Sequence, residues 1–163
     1  MNLELLPNEF LLDLFEYLNS IDLLRVFYGL NSRFNLLLYK QFRAYRFKFD
    51  CMSKSKFDAI YQQHLPFIAN RVLTLHLSDY RNISRQINHF LSYIPSFNHF
   101  TQLQSLTLYN LHPYETLLKL LDECRHLNNL MQLVVYASYL PNEQVDCQLI
   151  VDTIWNLSKL TKC

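Results

Sequence analysis

The chain has 163 residues, of which half are hydrophobic and 18% are charged, and its formal net charge at pH 7 is +1. This length and apolar content suffice for one ordinary domain, or two small ones, with a hydrophobic core. Gly29 is the only glycine, which excludes phosphate-binding loops, dinucleotide fingerprints, nucleophile elbows and EF-hand loops, because each of these needs glycine at fixed positions.

The first part of the chain predicts two short amphipathic helices. Residues 8–18 carry apolar side chains at helical spacing, with acidic side chains on the opposite side. Pro7 suits the start of this helix, and Ser20 is expected to cap a second helix over residues 21–28. Gly29 then stands where a helix-ending residue adopts the left-handed conformation.

A third helix is expected over residues 32–47, with one cationic stripe. The stripe consists of Arg33, Lys40, Arg43 and Arg46. Residues 1–22 contain acidic but no basic side chains, whereas residues 23–49 contain basic but no acidic ones. A solvated face, or one that attracts an acidic partner, is a better interpretation than a nucleic-acid site, because the net charge is small and the basic residues are not densely clustered.

A family resemblance is carried by three segments within residues 5–45. LPNEFLLDLFEYL at residues 6–18 is followed by DLLR at residues 22–25 and by an Arg-Phe pair at residues 33–34. This pattern, with its spacing kept without a gap, resembles the F-box family. Asn31 and Ser32 depart from it, because Cys-Arg or Cys-Lys usually precedes the Arg-aromatic pair.

The F-box resemblance implies a three-helix module, placed here at residues 1–48. It implies docking on the Skp adaptor of a cullin-RING ubiquitin ligase, and through the adaptor on the cullin. The surplus apolar surface of so small a unit also favours an interface. The adaptor-binding residues expected from both arguments are Leu6, Pro7, Phe10, Leu11, Leu14, Phe15, Leu18, Leu23, Leu24 and Phe34.

A linker helix is expected next, within residues 49–70, running from Phe57 to Leu65 and stopped by Pro66. An apolar Leu-x-x-Leu-x-Leu pattern then occurs at residues 72–77, 103–108 and 130–135, with a partial copy starting at Leu157. Helical stretches separate the copies.

This pattern resembles leucine-rich repeats, about three and a partial fourth, over residues 71–163. The predicted fold class is therefore α+β with a solenoid: a three-helix F-box followed by a short, apparently truncated strand–helix array. An α/β layer domain with ordinary buried strands remains the alternative. Because no capping segment follows Leu160, we expect an open strand edge that frays or self-associates.

The repeat geometry implies that the residues between the leucines line one face. They are Thr74, His76 and Ser78; Ser105, Thr107 and Tyr109; Gln132, Val134 and Tyr136; and Lys159 and Thr161. This polar, aromatic and nearly uncharged face suits recognition of a protein segment rather than a phosphate backbone.

The resulting functional prediction is a non-catalytic substrate receptor of an SCF-type ubiquitin ligase, located in the cytoplasm or nucleus. A leucine-rich-repeat scaffold unconnected to ubiquitin ligation is the alternative, and an RNA-binding helical module is a more distant one. No catalytic residue, cofactor or metal site is expected, because the histidines lack helical zinc spacing and Cys124 with His126 does not form a dyad by proximity in sequence. No membrane span and no basic signal-peptide start are expected.

Overall fold

The computed structural model describes residues 3–49, 54–78, 86–94, 96–109, 114–136, 147–157 and 160–161. The α-helices are α1 (Asn8–Glu16), α2 (Ser20–Phe27), α3 (Ser32–Leu36), α4 (Lys54–Ala59), α5 (Leu65–Ile68), α6 (Gln86–Tyr93), α7 (Tyr114–Glu123) and α8 (Cys147–Trp155). The strands are β1 (Tyr45–Lys48), β2 (Val72–Ser78), β3 (Ser105–Tyr109) and β4 (Gln132–Tyr136). π-Helical turns at Leu37–Gln41 and Ile60–His64 continue α3 and α4.

The strands form one parallel sheet in the order β1-β2-β3-β4. Thr74 on β2 lies beside Ser105 on β3, which in turn lies beside Gln132 on β4. On the other side of β2, Arg46 lies beside Thr74 after a shift in register between Tyr45 and Arg46. Neighbouring strands therefore align their side chains in rows that cross the whole sheet.

One face of the sheet forms the floor of the hydrophobic core. The side chains on it are at most 1% exposed: Tyr45, Phe47, Leu75, Leu77, Leu106, Leu108 and Leu133. These positions include leucines of the repeated pattern, which therefore point into the core. Alternate residues point to the opposite face because side chains change sides at every step along a strand.

The predicted fold class, a helical module followed by a strand–helix solenoid, is wrong. The fold is α/β, with a four-stranded all-parallel sheet whose first strand lies inside the segment assigned to the helical module. The N-terminal helices and the sheet also share a single core cluster, which runs from Leu11 to Leu157. The α/β domain with buried strands, kept as the alternative, agrees with this finding.

The third predicted helix accounts for most of the error. It was expected to reach residue 47, but α3 and its π-helical turn end at Gln41, and β1 begins at Tyr45. Tyr45, Phe47 and Phe49 are buried and alternate with exposed basic residues, which is the two-residue period of a strand with one buried face. Their aromatic side chains also fitted the preceding helical pattern, and this overlap concealed the strand.

Smaller differences concern the helix ends. The side chain of Asn19, not Ser20, accepts the hydrogen bond from the Ile21 amide that caps α2, at 2.9 Å. Pro66 lies in the first turn of α5 instead of ending a helix. Gly29 adopts a φ of 82° just after α2, as the sequence predicted.

Candidate functional site

The first candidate surface lies on the outer side of α1. Phe10 and Tyr17 are 64% and 87% exposed, and Leu18 is 37% exposed. Phe10 and Leu14 on α1 and Tyr17, the residue directly after it, are spaced so that they lie on one face, and Leu18 follows Tyr17. We call these four residues the α1 apolar stripe.

The predicted adaptor-binding residues fall into two groups. Pro7, Phe10 and Leu18 are exposed, and Leu6 and Leu14 are partly exposed. The remaining five lie in the core with at most 1% exposure: Leu11, Phe15, Leu23, Leu24 and Phe34. Their side chains hold the helices together and are not available to a partner, so the available surface is narrower than the sequence predicted.

Other apolar side chains within residues 5–36 are also exposed, and sequence reasoning missed them. They are Leu5, Val26, Tyr28, Leu30 and Leu36, each at least 43% exposed. They were missed because, in a short helix, the spacing of apolar residues does not distinguish the buried ones from the exposed ones. Surplus apolar area of this kind on a small helical unit is typical of an interface.

Arg33 fixes the start of α1 against α3. Its guanidinium donates to the Glu4 carbonyl oxygen at 2.6 Å, to the Leu6 carbonyl oxygen, and through Nε to the Asn8 side chain at 2.9 Å. Asn31 donates to the Glu4 carboxylate at 2.9 Å. Only a guanidinium offers several donors in such a fixed fork. The Arg-aromatic pair thus positions the Leu6-Pro7 segment.

The second candidate surface is the open face of the sheet, opposite the core. In register, Thr74, Ser105 and Gln132 form one row, and His76, Thr107 and Val134 form the next. Ser78, Tyr109 and Tyr136 form a third row. All eight residues predicted for a substrate face therefore lie on this face, but Thr107 is buried, as is the neighbouring Ser78. Lys159, named with them, lies outside the described residues.

The open face becomes aromatic at the β3–β4 side. The rings of Tyr109 and Tyr136 stack with centroids 4.6 Å apart and planes within 3°. Tyr136 is 53% exposed, so its outer ring surface is accessible. At the other side, β1 adds Arg46 and Lys48, both exposed. The sequence interpretation missed these two cations on the sheet because it placed residues 45–47 on a helix that ended just before Lys48.

Cys124, the cysteine that the sequence analysis weighed with His126 for covalent chemistry, is buried. Burial, and then the nearby Glu123 carboxylate, raises the pKa of the Cys124 thiol to about 12, which keeps it protonated at neutral pH. Cys124 lines a cavity of about 370 Å³ together with Arg125 and Leu157. Across the described ranges, His, Cys, Asp and Glu nowhere group in threes that could hold a metal ion.

In the part of the chain that the structure describes, no helix has the length and apolar character needed to cross a membrane. Comparisons with protein-family models, with curated proteins and with solved structures gave no match to this chain. The arguments about function therefore depend on the two surfaces themselves.

Proposed function

We propose that this chain is a substrate-receptor subunit of a cullin-RING ubiquitin ligase. In this role the α1 apolar stripe docks on a Skp-family adaptor, and the open face of the sheet holds a protein substrate. The chain performs no chemistry itself. It raises the effective concentration of the substrate near the ubiquitin-charged enzyme.

The observation that carries the proposal is the exposure of large apolar side chains on α1. The side chains of Phe10 and Tyr17 are each mostly exposed to water. They therefore contribute little to the core, and folding does not explain why they are apolar. Buried aromatic anchors supply much of the binding energy in protein interfaces. The neighbouring acidic residues Glu9, Asp13 and Glu16 are also exposed and provide the polar rim that such interfaces have.

The resemblance to the F-box is the reason for proposing a Skp-family adaptor as the partner of this surface. The Leu6-Pro7 segment and Arg33, which belong to the resembling pattern, meet through the Arg33 hydrogen bonds at the start of α1. Phe34, the aromatic residue of the same pattern, packs against Phe27 with ring centroids 5.4 Å apart. These contacts hold α1 and α2 in a fixed relation, so a preorganised surface is presented to the adaptor.

The test is the affinity of the full chain for a purified Skp-family adaptor, measured by titration calorimetry. Phe10→Glu combined with Tyr17→Glu should weaken binding at least about 100-fold, because two aromatic anchors are replaced by charges that the interface would bury unpaired. Both side chains are exposed in the free chain, so the helical content should remain unchanged in far-UV circular dichroism.

Trp155→Glu is the matched control. Trp155 is 82% exposed and lies on α8, far along the chain from α1, so this substitution should leave adaptor binding unchanged. Undiminished binding by the α1 variant, or no binding by the parent chain, would contradict adaptor docking. The chain would then be a protein-binding scaffold without a link to ubiquitin ligation.

A further inference from the structure

The open face of the sheet is chemically graded from one edge to the other. Arg46 and Lys48 on β1 are exposed and basic, and the Tyr109–Tyr136 stack lies on β3 and β4. Between them lie polar, partly exposed side chains: Thr74, His76, Ser105 and Gln132. Among the residues that the structure describes on this face, none is acidic. The face therefore favours an occupant with negative charge at one end and a ring or other apolar group at the other.

We propose that the open face binds an extended acidic peptide segment with an aromatic residue downstream or upstream of its carboxylates. This inference rests on the proposed function and names the substrate class of the same site. The carboxylates of the peptide lie against Arg46 on β1. The peptide backbone then crosses the polar side chains of β2 and β3, and its aromatic ring covers the exposed face of Tyr136.

Strand geometry sets the spacing of these two features. Tyr109 and Tyr136 lie two and three strands away from β1, and four residues farther along the strand than Arg46. With about 4.8 Å between strands and about 3.3 Å per residue, the separation is about 16 to 20 Å. An extended peptide covers this distance in about five or six residues.

The polar middle of the face suits a peptide backbone. Ser105 Oγ donates to Gln132 Oε1 at 3.2 Å, which leaves the Gln132 amide nitrogen directed to other acceptors. Thr74 and Gln132 are partly exposed. Side-chain amides and hydroxyls at the surface can pair with peptide groups without favouring one sequence.

A peptide is favoured over single-stranded nucleic acid because a nucleic-acid strand presents one phosphate per nucleotide. A groove that follows such a strand needs cations along its length, whereas the cations among the described residues of this face are confined to β1. The two aromatic rings stack on each other, so only the outer face of Tyr136 remains available to a base.

The experiment uses the full chain and the fluorescein-labelled peptides EESTSTY and YTSTSEE, because the face does not fix the direction of the peptide. At least one should bind, with an affinity about five- to tenfold higher than its Gln-for-Glu counterpart and a clear decrease at high salt. Replacing the peptide tyrosine by alanine should weaken binding about threefold to tenfold.

Two variants assign the binding to this face. Arg46→Gln should abolish the preference for Glu over Gln peptides, and Tyr136→Ser should abolish the preference for the ring. Arg125→Gln is the control: it removes one exposed positive charge, paired with Asp122 at 3.1 Å, away from the sheet, and should change nothing.

Equal affinity for the Glu and Gln peptides, or no binding of either peptide up to millimolar concentration, would overturn the inference. It would also be overturned if a ten-nucleotide uridine strand bound more tightly than the peptides and the Arg46→Gln substitution weakened that binding. Adaptor binding by the Arg46→Gln chain is measured in parallel. If the parent chain binds the adaptor but neither peptide, the inference about the substrate class is wrong, whereas the proposed function still stands.

Discussion

Two buried tyrosines differ in the partner of the hydroxyl group. Tyr45 Oη donates to the Leu38 carbonyl oxygen at 2.8 Å, whereas the hydroxyl of Tyr61 is buried without a hydrogen-bond partner. Both rings pack among other aromatic side chains, Tyr45 against Phe42 and Tyr61 against Phe57. Removing each hydroxyl in turn therefore tests how much a buried hydrogen bond contributes to the free energy of unfolding.

We expect opposite effects from removing these hydroxyls. Tyr45→Phe should lower the free energy of unfolding by about 1 to 2 kcal/mol, because the Leu38 carbonyl loses its partner. Tyr61→Phe should leave it unchanged or raise it by up to about 1 kcal/mol, because the hydroxyl is desolvated without compensation. Urea denaturation with equal slopes for all three proteins checks this. A large loss of stability in Tyr61→Phe would mean that its hydroxyl has a partner.

His64 makes the stability of the fold depend on pH. Its Nδ1 lies 2.6 Å from Tyr39 Oη, and its ring centroid lies 4.7 Å from that of Tyr28. Burial lowers the pKa of His64 below its usual value of 6.5. The unfolded chain therefore binds this proton more readily than the folded one, and the free energy of unfolding falls as the pH decreases below about 6.5.

We expect His64→Gln to reduce the loss of stability between pH 7 and pH 5, measured by urea denaturation at each pH. The same substitution at exposed His126 keeps the number of histidines equal and should retain the pH dependence of the parent. An unchanged pH profile in the His64 variant would show that another group titrates in this window.

At the scale of elements, α2 covers the free edge of β1. Ser20 is 2% exposed, and its Oγ accepts a hydrogen bond from the Arg46 amide at 2.7 Å. An edge strand normally presents unpaired amides that invite association with another chain. Here a helix side chain occupies the edge, and this contact ties the N-terminal helices to the sheet.

Ser20→Ala should remove this edge contact. We expect the free energy of unfolding to fall by about 1 to 2 kcal/mol, because a partly buried amide loses its acceptor. Hydrogen exchange of the Arg46 amide should accelerate well beyond that of Phe47. Asn19→Ala is the comparison, because it removes the cap of α2 without touching β1. Equal exchange at Arg46 in the two variants would mean that Ser20 does not cover the edge.

The elements predictable from sequence were those with an unambiguous period. The pattern at residues 103–108 and 130–135 predicted β3 and β4, and the spacing at residues 8–18 predicted α1. β1 was not predicted because Tyr45 satisfies a helical period with Phe42 as well as a strand period with Phe47. Whether residues 45–48 form a helix or a strand depends on hydrogen bonds with β2, and these cannot be read from the local sequence pattern. Arg46 could therefore not be placed on the candidate site from sequence.

At the scale of the whole molecule, a continuous series of ring contacts joins the N-terminal helices to the sheet. Phe15 contacts Phe42, Phe42 contacts Tyr45, and Tyr45 stacks on Phe47 with centroids 5.8 Å apart. The series continues through Phe49 to Tyr61 at 5.1 Å. The boundary expected near residue 48 thus crosses tightly packed side chains. Packing across it depends on the three-dimensional fold, which is why sequence alone suggested separable parts.

We expect the full chain to unfold in one cooperative transition, with coincident curves from far-UV and near-UV circular dichroism. A fragment that starts at residue 42 should lack near-UV signal and bind hydrophobic dyes, because Phe42 loses the ring of Phe15 and the Tyr45 hydroxyl loses the Leu38 carbonyl oxygen. Mixing this fragment with a peptide of residues 1–41 should partly restore the signal. A fully folded fragment, or two separate transitions in the full chain, would contradict a shared core.

The Tyr109–Tyr136 stack gives the open face an optical property of its own. Two phenol rings that are parallel and 4.6 Å apart couple their electronic transitions, so the pair absorbs and rotates polarised light differently from two isolated tyrosines. Trp155 is the only tryptophan in the chain and can be excited separately from these rings. The near-ultraviolet circular dichroism of the chain therefore contains a contribution from this pair, which the difference from the Tyr136→Ser chain isolates, and a ligand that separates the two rings would change it.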